Sequence, residues 1–362
     1  NPLALRNYRR SLKISPTHTE TQLYLAGSLR ELGKYKEAIE NYNSILQIDP
    51  HHPKAYDNLS VLLIQLGLDN YNRNPFIAKA EDSLGGDTGL VFQCIQLIKS
   101  FMEADLETTR KCQQKLSSNL TGKKFDRLNP QNKQFCLAYN SMIGALIDSR
   151  EHTNYSIKPP FIFHIGESHC LSYAHQTLVL SGVVHTIQPR LIIGAKAWHF
   201  ASEESNSYKS LFAECVKSLP EQSNIFLSFG EIDCRENEGI LAFSKKSNRK
   251  IDEIVAETVS GYVEFIANQF KNKRCNVFFF DVPAPVGIKN SEATAEYNLL
   301  EKANLIKTFN ALLMDNVESR NFHFIDTHSF TSNEEGISNQ RYHLDYRHLG
   351  PWSLKKLREQ LE

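Results

Sequence analysis

Four pairs of residues near the start of the chain stand 34 positions apart: Ala4 with Ala38, Tyr8 with Tyr42, Pro16 with Pro50, and Gly33 with Gly67. A fixed period of that length marks a small structural unit that cannot bury its apolar face alone, so neighbouring units must stack into one helical array. In the complete unit, residues 19–52, Tyr24, Leu25, Ala26 and Leu29 predict a first helix and Gly33 a turn. Tyr35, Ala38, Ile39 and Tyr42 predict a second helix that Pro50 ends. Small side chains at Ala26 and Ala38 let two helices approach closely, and proline keeps Asp49 before it out of the α region.

This period, with alanines at the helix contact, glycine at the turn and proline at the end, resembles the tetratricopeptide repeat. The next unit opens well at Tyr56, Leu59, Leu63 and Gly67, then loses its pattern at Asn72-Arg73-Asn74-Pro75. Apolar spacings at Leu90, Val91, Cys94, Ile95, Leu97 and Ile98, and at Phe135, Leu137, Ala138, Met142, Ile143 and Leu146, predict further amphipathic helices. The expectation is a helical solenoid over residues 1–155 whose concave surface takes a peptide or protein partner, the alternative being a mere cap stacked on the rest of the chain. The polar stretch 151–160, ending in Pro159-Pro160, reads as the linker.

With 362 residues the chain outgrows one ordinary core and suits two domains, 1–155 and 156–362. The second carries five apolar runs, at 161–165, 183–193, 224–229, 275–281 and 322–326. Helical patterns lie around 168–180, 206–218, 250–272 and 296–317. That alternation predicts a parallel sheet covered by helices, and near-continuous runs such as Phe278-Phe279-Phe280 suit strands buried on both faces.

Chemistry-bearing residues lie just past the ends of those runs. Phe161-Ile162-Phe163-His164-Ile165-Gly166 leads into Glu167-Ser168-His169, which places Ser168 at a strand's carboxyl end, where open α/β sheets bind ligands. Gly194 follows the second run, Gly230-Glu231-Ile232-Asp233-Cys234-Arg235 the third, and Asp281-Val282-Pro283 the fourth. Near the chain end, Asp345 precedes His348 by three residues, a spacing at which a carboxylate can hold an imidazole in the tautomer that accepts a serine proton.

The blocks Gly166-Glu167-Ser168, Gly194, Gly230-Glu231-Ile232-Asp233 and Asp345-Tyr346-Arg347-His348 resemble those of the SGNH/GDSL hydrolase superfamily over roughly residues 160–355. The resemblance implies a flavodoxin-like α/β/α sandwich with a five-stranded parallel sheet. It implies Ser168 as nucleophile, His348 as base, Asp345 as its orienter, and the N–H groups of Ser168 and Gly194 as oxyanion donors. Ile232 stands where the family carries an asparagine donor, whose loss can cost roughly 10²–10³ in turnover. Arg235 is the first candidate to replace it, ahead of His169 and Asn237. The form G-E-I-D-C-R resembles that of bacterial glycan-cluster members of the superfamily.

In an extended segment Glu231, Asp233 and Arg235 would share one face, either as a buried ion pair or as a grip on substrate, with Arg235 offering its planar fork. With His169 they form the expected substrate-binding set. Cys170 and Cys234 read as structural thiols. The histidines at 323, 328, 343 and 348 lack a ligand spacing on a supported helix, so neither metal nor cofactor is expected. The 41 basic and 41 acidic residues balance, giving no argument for nucleic acid. No apolar run is long enough for a membrane span. Seven scattered cysteines without a C-x-x-C pair suggest free thiols and a cytoplasmic setting, where the acceptor patterns at Asn119 and Asn154 would stay unglycosylated.

The leading expectation is a serine esterase that removes an O-acyl group from a carbohydrate or another ester. The alternatives are an acyltransferase using the same triad and a non-catalytic glycan- or protein-binding module.

Overall fold

A computed structural model describes residues 2–83, 89–149, 158–287 and 293–361. Most of the expected linker, and the Asn154 pattern with it, lies outside the described residues. The chain forms two compact units. One comprises Asn1–Gly144 with Ser205–Cys215; the other comprises Ala145–Glu204 with Val216–Glu362. Residues 205–215, expected in the second domain, thus cluster with the first unit.

In the first unit the helices Pro2–Ile14, Thr19–Glu31, Tyr35–Ile48 and Pro53–Gln65 each pack on the next. Ala26 and Ala38 are fully buried at the contact, and Tyr42 is buried with them. The 34-residue period recurs in the caps. The Nδ1 atoms of His18 and His52 accept the N–H groups of Thr21 and Ala55, each at 3.2 Å. Beyond Gln65 the helices shorten to Leu68–Asn72 and Pro75–Ser83. The chain breaks between them because the Asn74 side chain turns back to accept the N–H of Phe76 at 3.1 Å. Longer helices then follow at Leu90–Met102, Leu106–Asn119 and Pro130–Asp148. The regular solenoid expected over 1–155 is therefore reduced to an α-helical unit whose even pairing stops at that break.

The second unit is built on a sheet of six strands: β1 Phe161–Gly166, β2 Thr177–Leu180, β3 Val183–Leu191, β4 Asn224–Ser228, β5 Asn276–Phe280 and β6 His323–Ile325. Their order is β2-β3-β1-β4-β5-β6. All neighbours are parallel except β2, which runs antiparallel to β3. The expected five-stranded parallel sheet is thus corrected to a six-stranded mixed one. The extra strand lies where a helix over 168–180 was expected, and its cause is local. Ser181 and Gly182 both take positive φ, 51° and 73°, which makes the two-residue hairpin turn that joins β2 to β3. Leu178 and Leu180 point into the core from β2 while Val179 faces out.

Ile225, Phe226 and Leu227 of β4 are all fully buried, as a parallel strand covered on both faces requires. Phe226 packs with Ile162, Ile187, Phe278 and Phe280, and the same cluster takes in Leu349, Leu354 and Leu357 from the chain end. β1 lies in the middle, with β3 on one side and β4 on the other. The strand order therefore reverses at the carboxyl end of β1, the place where such sheets open a crevice. Among the described residues no helix is long and apolar enough to cross a membrane.

Candidate active site

β1 ends at Gly166 because β4 leaves no room for a side chain: a Cβ there would stand 2.2 Å from Ser228 Oγ. Two residues later Ser168 opens a short 3-10 turn, Ser168–Leu171. Its Oγ lies 2.8 Å from Nε2 of His348, 180 positions further on. The other ring nitrogen of His348, Nδ1, lies 2.8 Å from Asp345 Oδ2. Ser168, His348 and Asp345 thus form one hydrogen-bonded chain.

The loop that carries the last two is closed on itself. Asp345 Oδ1 accepts the N–H groups of Arg347 and His348, each at 2.7 Å, and the Leu344 N–H donates to the His348 carbonyl at 2.7 Å. A carboxylate fixed by two backbone donors cannot swing away from the imidazole it orients. Burial works against the charge on Asp345, but the His348 hydrogen bond and charge and these N–H groups outweigh it. Its carboxyl stays well below the usual range.

Gly194 occupies a tight turn in which the Ala195 N–H donates to the Ile192 carbonyl at 3.2 Å. At φ +72°, the third position of that turn favours glycine. The Ile192 N–H donates to the Gly166 carbonyl at 2.8 Å, which fastens the turn to the end of β1 beside Ser168. Ile232 is buried and has no side-chain donor to offer.

The expectation that Glu231, Asp233 and Arg235 share one face is corrected, because Ile232–Cys234 is a 3-10 turn and not an extended segment. Glu231 Oε2 accepts from Arg235 Nε at 2.7 Å and from Nη2 at the same distance, while Arg235 Nη1 donates to Glu238 at 2.8 Å. The arginine is committed to two carboxylates and no contact joins it to Ser168. Asp233 points elsewhere, with its two oxygens accepting the N–H groups of Ala197 and Trp198 at 2.8 and 3.0 Å. Burial raises its carboxyl to about 6 against those bonds. Cys170 and Cys234 are buried thiols outside any disulfide.

His169 stands beside the triad, its ring centroid 4.7 Å from that of His348. Nδ1 faces Glu167 Oε1 at 2.5 Å and Nε2 faces the Arg347 carbonyl at 3.1 Å. Both partners can only accept, so both bonds are filled when the ring is an imidazolium. Burial alone would discharge the ring, but the Glu167 charge wins and holds His169 up at about 9. Burial likewise opposes the charge on Glu167, and His169 overrides it to hold that carboxyl down at about 2.

A folded-state value raised from 6.5 gives stability that is fully present below pH 6.5 and is lost as pH climbs through about 9. The wild-type protein is therefore expected to lose about 3 kcal/mol of unfolding free energy over that window relative to His169→Gln. Denaturant titrations at pH 6 and pH 9 test this, and parallel pH profiles for the two proteins would refute it.

In the sequence Glu167 reads only as a stand-in for aspartate, yet its other oxygen, Oε2, lies 2.7 Å from Ser168 Oγ. The serine hydroxyl has one proton and two acceptors, so it donates to Glu167 or to His348 but not to both at once. The second orientation is the one in which His348 can accept the Ser168 proton. The position before the serine carried the signal: glutamate reaches one methylene further than aspartate.

A cavity of about 200 Å³ lies in this unit, lined by Lys196, Trp198, Asp233, Gly239, Phe243 and Ile254 among others. Trp198, four residues past Gly194, lines it. Phe243 gives no sequence signal, because the eight-residue helix Ile240–Ser247 is too short for its apolar first half to show a period. Among the described residues no group of histidine, cysteine, aspartate or glutamate side chains is arranged to hold a metal ion.

No protein-family model matches the chain, and no curated protein matches it. A solved structure from Streptococcus pneumonia, described as that of a proposed platelet activating factor, is similar in part. It is 16% identical with a TM-score of 0.40, over 65% of this chain and 98% of that one. At that level of likeness it assigns neither fold nor activity to this chain.

Proposed function

We propose that the second unit is a serine esterase of the SGNH type, carried on a flavodoxin-like sandwich with one added antiparallel strand. The observation that carries this reading is the unbroken chain from Ser168 Oγ through His348 to Asp345, at 2.8 Å for each step. His348 Nε2 takes the serine proton as Oγ bonds to the ester carbonyl carbon, and the carbonyl electron pair moves onto oxygen near the Ser168 and Gly194 N–H groups. The proton then passes from His348 to the leaving alcohol, and water repeats the sequence to release the acid. Asp345 keeps the imidazole in the tautomer that can accept. An O-acylated carbohydrate is the proposed substrate, resting on the resemblance of the G-E-I-D-C-R block alone.

The recurrence of the 34-residue period in the His18 and His52 caps supports a tetratricopeptide reading of residues 2–65, and with it a peptide or protein partner. Seven cysteines, none in a disulfide among the described residues, support a reducing, cytoplasmic setting.

A fluorophosphonate probe tests the enzymatic reading. A covalent adduct mapped by mass spectrometry to Ser168 is expected. A folded protein that stays unlabelled and cleaves no ester would favour the second reading, a binding module without chemistry. Ile232 in place of the donor asparagine is the observation on its side.

A further inference from the structure

The cavity of about 200 Å³ begins two residues beyond Gly194, at Lys196, so its near wall is at most about 8 Å of chain from the candidate oxyanion turn. Its walls are the rings of Trp198 and Phe243 with the side chains of Ile240 and Ile254. The isoleucines are buried, whereas Trp198 and Phe243 are 49% and 45% exposed, large apolar surfaces facing open space. The two aromatic residues come from separate elements, the helices Ala197–Ala201 and Ile240–Ser247.

Most of the polar atoms around this cavity are turned to protein partners, with Glu238 Oε2 standing 4.0 Å from the Lys196 ammonium. Both Asp233 oxygens are taken by the Ala197 and Trp198 N–H groups. The Lys196 ammonium donates to the Glu238 carbonyl at 2.5 Å, and Glu238 Oε1 accepts from Arg235. A sugar ring carries hydroxyls around its edge and needs free partners for them, since a desolvated hydroxyl left unpaired is costly. A hydrocarbon needs none. For scale, an apolar cavity of roughly 150 Å³ accepts benzene, so this one has room for a chain of about six to eight carbons.

The geometry points to this cavity as the acyl subsite of the esterase: it takes the hydrocarbon part of a medium-length acyl group whose carbonyl lies at Ser168 and Gly194. The inference rests on the hydrolase reading for its catalytic consequence and adds to it the class of acyl group. The alcohol half of the ester is left to the open side of the crevice, so an acylated sugar would enter with its chain inward.

The test uses the full chain and two readouts, only one of which needs catalysis. Across p-nitrophenyl acetate, butyrate, hexanoate and octanoate, kcat/KM is expected to rise about fourfold per methylene until the cavity is filled. Phe243→Ala, at a half-exposed site where the fold should tolerate it, is expected to lower the ratio of hexanoate to acetate turnover about tenfold. The chain has two tryptophans, at 198 and 352, so Trp352→Phe leaves Trp198 as the sole tryptophan, excited selectively beyond the tyrosine absorption band. Hexanoate, but not acetate, is then expected to change its emission.

A flat ester series with no emission change overturns the subsite. An emission change with hexanoate in a protein that cleaves no ester upholds the cavity's preference for hydrocarbon and overturns the hydrolase reading instead.

Discussion

With Ser168 replaced by alanine, cleavage of a p-nitrophenyl ester is expected to fall roughly 10⁶-fold in kcat, the scale seen when a triad loses its nucleophile. The loss is large because in the proposed reaction the serine oxygen is the atom that bonds to carbon, and the thiols of Cys170 and Cys234 are buried. On the proposed reading, what remains is the Gly194 turn as oxyanion donor and the candidate acyl cavity. A residual roughly 10³–10⁴ above the rate in water is therefore expected.

The fold should hardly notice the change. Ser168 is half-buried, and the alanine forgoes the one hydrogen bond its hydroxyl can donate, to His348 or to Glu167, worth about 1 kcal/mol. Steady-state rates with a parallel thermal melt check both halves. If Ser168→Ala keeps more than a hundredth of the wild-type rate, Ser168 is not the nucleophile.

Asp345→Asn separates orientation from mere presence. An asparagine can still accept the Arg347 and His348 N–H groups through its oxygen, so the loop should keep its shape. Its amide N–H groups would then face His348 Nδ1 and force that nitrogen to accept, which moves the ring proton to Nε2. A ring protonated there has no lone pair for the Ser168 proton. The expected result is a loss of about 10⁴ in kcat with KM nearly unchanged. A loss under tenfold would mean that the carboxylate does no more than hold the loop.

Much of the second unit is legible in the sequence because its strands are written in buried hydrophobes. Phe226 and Phe278 through Phe280 admit few other fates, and the segments 161–165 and 224–229 end within a residue of β1 and β4. The triad can be read for a related reason: Asp345 and His348 share one short loop, so their spacing in sequence is their spacing in space.

The features that escape a sequence reading are set by turns and by long-range pairing. β2 is hidden because residues 168–180 read as one helix, although Ser181-Gly182 between two β-rich runs is itself a hairpin signal. The fates of Glu231 and Asp233 depend on whether their segment is extended or coiled, and three residues of 3-10 turn send them to different partners. Arg235 cannot be placed from sequence, since Glu238 competes for it from three residues away.

The loop holding Asp345 and His348 is followed at once by Leu349, Leu354 and Leu357, which plug the core formed by Ile162, Phe226 and Phe278. Tyr173, just past the nucleophile's turn, is anchored to the same tail by a 2.7 Å bond to Ser353. Proteolytic clipping near residue 340 would therefore not yield a quiet, well-formed decoy that keeps its ligand surface. It would uncap the sheet as it removed Asp345 and His348, and the cell's degradation machinery would meet the product as damaged protein.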